Sequence, residues 1–398
     1  MRDGSRMRVE GTYEPGWERV RGAFVLAFET YPLMGGSLAV MHKGRLVVDL
    51  WGGLADARSS QPWQRDTLSV IFSCTKGLMS LLAAHLVQEG ALDYEELVTT
   101  YWPEYGRAGK SRTRVKHLLS HRAGLSAPRE AMTFEDILDW DRAVEHLAAQ
   151  EPLWIPGDGW AYHAITHGWL TGEILRRVGG ASVGELFRTM VADLAPDTWI
   201  GLPLSEHPRV AHLTVDPALR ELSAMLREQS GPDWPLRAMT LGGAFPIELV
   251  GDDDVGFNDP RVHSAQIPGA AGIGTARDLA KIWSASVTET QGKRLIDPGA
   301  LKVALAVQSE GKPVFPVPGP WPRWGMGFQL DSMARRYLTE RSFGHDGAGG
   351  QVTFADPVHE LGLAFITNWM AVEDHRATRI IDAVRESVGG PVPFAQQT

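Results

Sequence analysis

Ser73 and Lys76 stand three positions apart in Val70-Ile71-Phe72-Ser73-Cys74-Thr75-Lys76-Gly77-Leu78-Met79. An apolar run precedes them. A helical pattern follows, with Leu78, Leu81, Leu82, His85 and Leu86 recurring at spacings of three and four until Gly90 stops it. At the start of such a helix Ser73 and Lys76 share a face, one turn apart. A partly buried lysine loses proton affinity because low dielectric disfavours the ammonium. The neutral amine can then act as base to a neighbouring serine hydroxyl. The helix N-terminus also favours negative charge developing near Ser73. The chemistry this pattern predicts is acyl transfer through a serine nucleophile. Helix capping by Ser73 is the structural alternative.

Other reactive-looking residues fit plainer roles. Ser309-Glu310-Gly311-Lys312 repeats the Ser-x-x-Lys spacing but runs into a proline-rich stretch with no helix to align it, and is expected to be solvent-exposed. Gly180-Ala181-Ser182-Val183-Gly184 matches the nucleophile elbow of α/β-hydrolases, but a helical pattern precedes it where a strand is needed. Ser182 followed by Glu185 and Leu186-Phe187 reads as a capping box instead. The pairs His117/His121 and His163/His167 lack the adjacent glutamate of zinc hydrolases, so no metal is expected; acyl transfer through Ser73 is expected to run without a cofactor. Asp252-Asp253-Asp254 reads as a solvated loop, and Cys74 as a small buried residue pointing away from the Ser73/Lys76 face. Tyr162 is either loop packing or, if delivered to Ser73, a phenol whose ionised form a lysine ammonium would favour as general base. The glycines of Phe343-Gly344-His345-Asp346-Gly347-Ala348-Gly349-Gly350 permit close approach of backbone N–H groups to a ligand.

These residues need a scaffold, and the pattern supplies one. Tyr13 to Phe28 reads as an amphipathic helix. Ser37–Met41 and Arg45–Trp51 form a hairpin about His42-Lys43-Gly44. From Gly77 to about Ala265 the pattern is mainly helical: Arg114–Ser120, Phe134–Ala149, Thr166–Val178 and Val183–Leu194. Thr275–Val287 is a further helix, Gly311–Arg323 a proline-rich loop, and Phe328–Leu330 a short strand. Gln351–Ala355 and Leu361–Thr367 form a second hairpin, and Asp374–Val388 a closing helix. Strands near both termini with helices between predict an α+β fold. One antiparallel sheet flanked by helices is built from residues 1–76 and 266–398, and a mostly helical domain, 77–265, is inserted.

Composition narrows the function class. The chain has 398 residues, 43% hydrophobic and 22% charged, with a formal net charge of -9 and no basic cluster, which argues against nucleic-acid binding. Cys74 is its single cysteine, so no intrachain disulfide forms. Met1–Glu10 has no apolar signal core, and no apolar run reaches the ~18 residues of a membrane span. A cytoplasmic protein acting on a small molecule, with no membrane partner, is expected. The composition is silent on oligomeric state. Some of the 14 Trp could line an apolar ligand site.

From Ser37 to about Asn368 the chain resembles the serine β-lactamase and penicillin-binding-protein superfamily, and within it the class C-like family VIII carboxylesterases. Ser73-Cys74-Thr75-Lys76 resembles the nucleophile motif. His117 to Leu125 resembles the segment reading Leu-Leu-(Ser/Thr)-His-x-(Ser/Ala)-Gly-Leu. Pro156-Gly157 followed by Tyr162 resembles the loop of the Tyr-x-Asn motif, and His345-Asp346-Gly347 stands where lactamases carry Lys-Thr-Gly on the strand beside the site. Pro268 to Ile273 and Trp324-Gly325-Met326-Gly327-Phe328 are similar to segments of the same esterases. The resemblance implies Ser73 as nucleophile, Lys76 and Tyr162 as proton carriers, and the backbone N–H groups of Ser73 and Ala348 as oxyanion hole. It implies His345, Gly347 and Trp324 at the substrate. Two departures stand out: Tyr162-His163-Ala164 lacks the asparagine, and His345 replaces the lysine. Those two groups help hold a β-lactam's amide and carboxylate, so their loss suits a neutral, short-chain ester hydrolysed through an acyl-enzyme. An amidase, β-lactamase or acyltransferase on the same scaffold, and a catalytically silent binding protein, are the alternatives.

Overall fold

The computed structural model describes residues 9–227, 233–251, 253–372 and 374–389. The leader reading of Met1–Glu10 therefore falls mostly outside the described residues, as does Asp252 of the acidic run. Asp253 and Asp254 lie in an exposed bend.

A nine-stranded antiparallel sheet carries the molecule. Its main path runs Val9–Tyr13, Arg45–Asp56, Gly35–His42, Leu361–Thr367, Gln351–Asp356, Phe343–Gly347, Gln329–Leu330 and Arg323–Trp324. Both ends of the chain thus build one sheet, and both hairpins form as the alternation predicts. The period of two sorts their side chains onto two buried faces. Leu38, Val40, Val48, Leu50, Leu363 and Phe365 pack under the terminal helices Glu18–Thr30 and Arg376–Ser387. Ala39, Met41, Ala364 and Ile366 face the other way, into a larger core shared with helices Ala276–Ala285 and Cys74–Gln88. The segment 77–265, proposed as an inserted domain, supplies most of the helices that continue this core.

Local chemistry accounts for several element ends. Ser182 accepts the Glu185 N–H, and Glu185 accepts the Ser182 N–H in return, so the capping box forms and the elbow reading of Gly180–Gly184 is set aside. The helix predicted over Phe134–Ala149 is two, Phe134–Leu138 and Trp140–Ala149. Asp139 leaves helical geometry between them and caps the second through the Arg142 N–H. Residues 311–322 contain no helix or strand, as their prolines require. No helix among the described residues is long and apolar enough to cross a membrane.

Candidate active site

Ser73 sits at the N-cap of helix Cys74–Gln88 in right-handed helical geometry, and its hydroxyl makes no capping bond. The turn that delivers it is held from outside. The Ile71 N–H donates to Gly272 O (2.9 Å), the Gly272 N–H to Thr75 Oγ1 (2.9 Å), and the Thr75 hydroxyl to Phe72 O (2.6 Å). Phe72 takes φ +45°, a left-handed conformation costly for a bulky residue. Its buried ring, 5.0 Å from that of Phe257, holds it there. Residues Cys74 to Ala84 are all buried, so the helix is enclosed on every side over its first three turns. Cys74 Sγ points to His345 O (3.2 Å), and burial pushes its thiol up to about 12. It lies off the reactive face.

Lys76 is wholly buried. Its Nζ lies 2.9 Å from Ser73 Oγ and donates to two carbonyl oxygens, Ala164 O at 2.5 Å and Gly269 O at 2.7 Å. Desolvation holds its pKa well below the lysine value, and no carboxylate offsets the burial. A neutral amine has two N–H bonds and one lone pair. The two carbonyls take the N–H groups, and the lone pair is left to Ser73.

Tyr162 arrives from the loop before helix Thr166–Gly179 and donates its O–H to Ser73 Oγ at 2.8 Å. Burial raises the phenol above its ordinary pKa. The expected phenolate is thus corrected: low dielectric opposes the tyrosinate and the lysine ammonium alike, and the pair is favoured as neutral phenol and neutral amine. His121 holds Tyr162 from both sides. Its carbonyl accepts the Ala161 N–H (3.1 Å) and its Nδ1 accepts the His163 N–H (3.2 Å). Its ring lies 4.9 Å from that of Tyr162 and 4.4 Å from that of Trp324, and Trp324 stacks on Tyr162 at 5.5 Å. His121 adopts φ +63° to do this. His163 donates from Nδ1 to Ala161 O and accepts the Leu125 N–H on Nε2, which makes it a neutral imidazole.

The strand Phe343–Gly347 closes the other side. A Cβ on Gly347 would lie 2.6 Å from Ile71 O and 3.2 Å from Cys74 Sγ, so only glycine lets this strand meet the Ser73 turn. Neither the Ser73 nor the Ala348 backbone N–H finds an acceptor among the described residues, which leaves both for a ligand oxygen. His345 is buried and donates from Nδ1 to Asp346 O. Its Nε2 has no partner among the described residues, and its ring stands 6.2 Å from Tyr162 and 5.3 Å from Trp324. Burial lowers its pKa to about 3, so it is neutral at ordinary pH. Asp346 turns outward to Arg335 Nε (2.8 Å).

Of the residues named from the sequence, Lys76 and Tyr162 thus contact Ser73 directly, His345 and Trp324 pack around Tyr162, and Gly347 meets the turn before Ser73, with Ala348 next to it in the chain. Three supports had no role assigned from the sequence: the carbonyls of Ala164 and Gly269, and the His121 clamp. Backbone oxygens have no residue code, and His121 stood out only in a histidine pair and in the His117–Leu125 segment, with no function attached. Among the described residues no group of three or more His, Cys, Asp or Glu is arranged to hold a metal ion. The expected exposure of Ser309 is corrected. It is buried, donates to Ser120 O (2.7 Å), and pairs with Trp324, because the start of the proline-rich loop doubles back against the sheet edge.

A family profile described as beta-lactamase matches residues 20–386. The chain is 32% identical to the esterase/beta-lactamase LipL of Mycobacterium tuberculosis over 372 residues, 90% of this chain and 82% of LipL. A crystal structure of a family VIII carboxylesterase superposes with TM-score 0.84 at 34% identity, covering 96% of this chain and all of the other. A penicillin-binding protein homologue from Caulobacter crescentus superposes with TM-score 0.83 at 33% identity over the same shares.

Proposed function

The chain belongs to the beta-lactamase family, and within it we propose that this enzyme is a serine carboxylesterase acting on short-chain esters through an acyl-enzyme on Ser73. The observation that carries the reading is the position of Ser73 Oγ between Lys76 Nζ and Tyr162 Oη, at 2.9 and 2.8 Å. Ser73 Oγ attacks the ester carbonyl as its proton passes to the Lys76 lone pair. The charge on the carbonyl oxygen is met by the Ser73 and Ala348 N–H groups, a contribution of about 3–4 kcal/mol per donor in comparable sites. Tyr162 gives its proton to the leaving alkoxide and recovers one from Lys76. The Lys76 ammonium formed in passing lies 4.9 Å from the centre of the Tyr162 ring, whose face stabilises a cation. Water then repeats the sequence on the acyl-enzyme.

A neutral His345 and the apolar Ala164 offer neither a fixed cation nor a side-chain amide, which favours esters over anionic β-lactams. The test is turnover of p-nitrophenyl acetate and butyrate by wild type and Ser73→Ala. The variant should lose at least ~10³-fold in kcat, and equal rates would remove Ser73 from the role.

A further inference from the structure

Beside Tyr162 lies a cavity of about 260 Å³ whose wall includes Tyr162 and Ala164. Four aromatic residues dominate the rest of that wall: Trp160, Trp234, Phe315 and Trp321. Two contacts tie them together. The Val314 N–H donates to Trp160 O (2.8 Å), tying the proline-rich loop to the Tyr162 segment, and Phe315 stacks on Trp234 at 6.1 Å. The indole N–H groups of Trp160 and Trp321 are spent on Glu310 O and Val317 O, so both rings offer the cavity only carbon. A hydroxyl with no partner among the described residues interrupts this surface. Ser126 lines the cavity at 1% exposure, and its Oγ has no partner among the described residues.

We propose, on the esterase reading above, that this cavity binds the alcohol half of the substrate, and that this half is a flat aromatic alcohol with one hydrogen-bonding substituent for Ser126. Size agrees: a dry cavity of about 150 Å³ accepts benzene, so this one takes a single substituted ring. Ring faces reward a planar guest beyond its buried area, whereas an alkyl chain gains area alone. Prolines fix the loop in advance, so little ordering accompanies binding. The alcohol half is assigned because Tyr162 both protonates the leaving oxygen and forms the cavity wall.

The experiment measures kcat/KM for benzyl acetate, ethyl acetate and ethyl phenylacetate in wild type, Trp234→Ala and Phe315→Ala. The ratio of benzyl to ethyl acetate should exceed ten in wild type and fall at least five-fold in each variant. A ratio cancels any loss of folded enzyme. A wild-type ratio near one, or a ratio the variants leave intact, overturns the proposal. A variant penalty on ethyl phenylacetate instead overturns the assignment to the alcohol half. Among the three methoxybenzyl acetates wild type should prefer one isomer, and Ser126→Ala should erase that preference. Equal rates for the isomers in wild type overturn the role of Ser126. Benzyl alcohol binding to Ser73→Ala, read by saturation-transfer NMR and weakened by Trp234→Ala, separates the two readings. Binding without wild-type turnover of any ester would sink the esterase and keep the cavity, and turnover without binding would do the reverse.

Discussion

At Ser73 the decisive quantity is which neighbour is the base, and burial decides it. Lys76 has no carboxylate beside it and two carbonyl acceptors, an environment that suits an amine better than an ammonium. Only the neutral amine accepts a proton, so kcat/KM should rise with pH through the Lys76 pKa. Desolvation moves that acid limb well below the 10.5 of an ordinary lysine. A pH–rate profile for p-nitrophenyl acetate checks this, and a limb still climbing near 10.5 would contradict it. Tyr162 depends on a second residue, His121, which binds the backbone on both sides of it. His121→Ala should lower kcat by about 100-fold, the scale of a displacement of roughly 1 Å, with KM little changed. His121→Asn should recover part of the loss, because its side-chain oxygen can accept the His163 N–H and asparagine tolerates positive φ. Equal losses in the two variants would reduce His121 to packing.

At the scale of elements, the site is made by segments pressed together without side chains between them. A Cβ on Gly168, in helix Thr166–Gly179, would sit 1.9 Å from Gly269 N, and one on Gly269 would sit 2.2 Å from Ile165 O. That contact holds the Ala164 and Gly269 carbonyls at the spacing Lys76 uses. Gly168→Ala should therefore destabilise by about 1–3 kcal/mol, as overpacking does, and should lower kcat as well, read from Tm and from turnover of the folded fraction. Gly22, exposed on helix Glu18–Thr30, meets nothing within 4 Å. Gly22→Ala should instead stabilise by roughly 0.5–1 kcal/mol with activity unchanged. Similar effects from the two substitutions would show that the close approach at Gly168 is not what matters. These contacts escape a reading of single segments, because a glycine that permits a turn and a glycine that permits a crossing look alike in one strand of text.

Across the whole molecule, several buried histidines are kept neutral. His163 and His345 have folded pKa values of about 3 through desolvation, and His121 and His167 are likewise held well below 6.5. Between about pH 3 and 6.5 the unfolded chain binds protons at these positions that the folded chain refuses. Stability therefore rises with pH through this window and is lost on acidification. Tm should fall steadily from pH 7 to pH 5, above the range in which most carboxylates titrate, and His163→Gln should make the slope shallower. A flat Tm over that interval would refute the account. The helices of segment 77–265 and the sheet share one large core, and the reactive groups lie buried within it, away from water.

Much of this architecture was legible before any coordinates. The period-two runs produced both hairpins, the three-and-four spacing produced the helix after Ser73, and the capping residues produced the false elbow's true role at Ser182. These follow from interactions within a few residues, which a linear text records. The strand Val9–Tyr13 was not legible, because it is an edge strand with mostly exposed side chains and so carries no alternation. Nor was the protonation of the site. Whether Lys76 and Tyr162 sit as a neutral pair or a charged one depends on how much water the fold removes from around them. Elements more than eighty residues apart set that dielectric, and only their packing in three dimensions decides it.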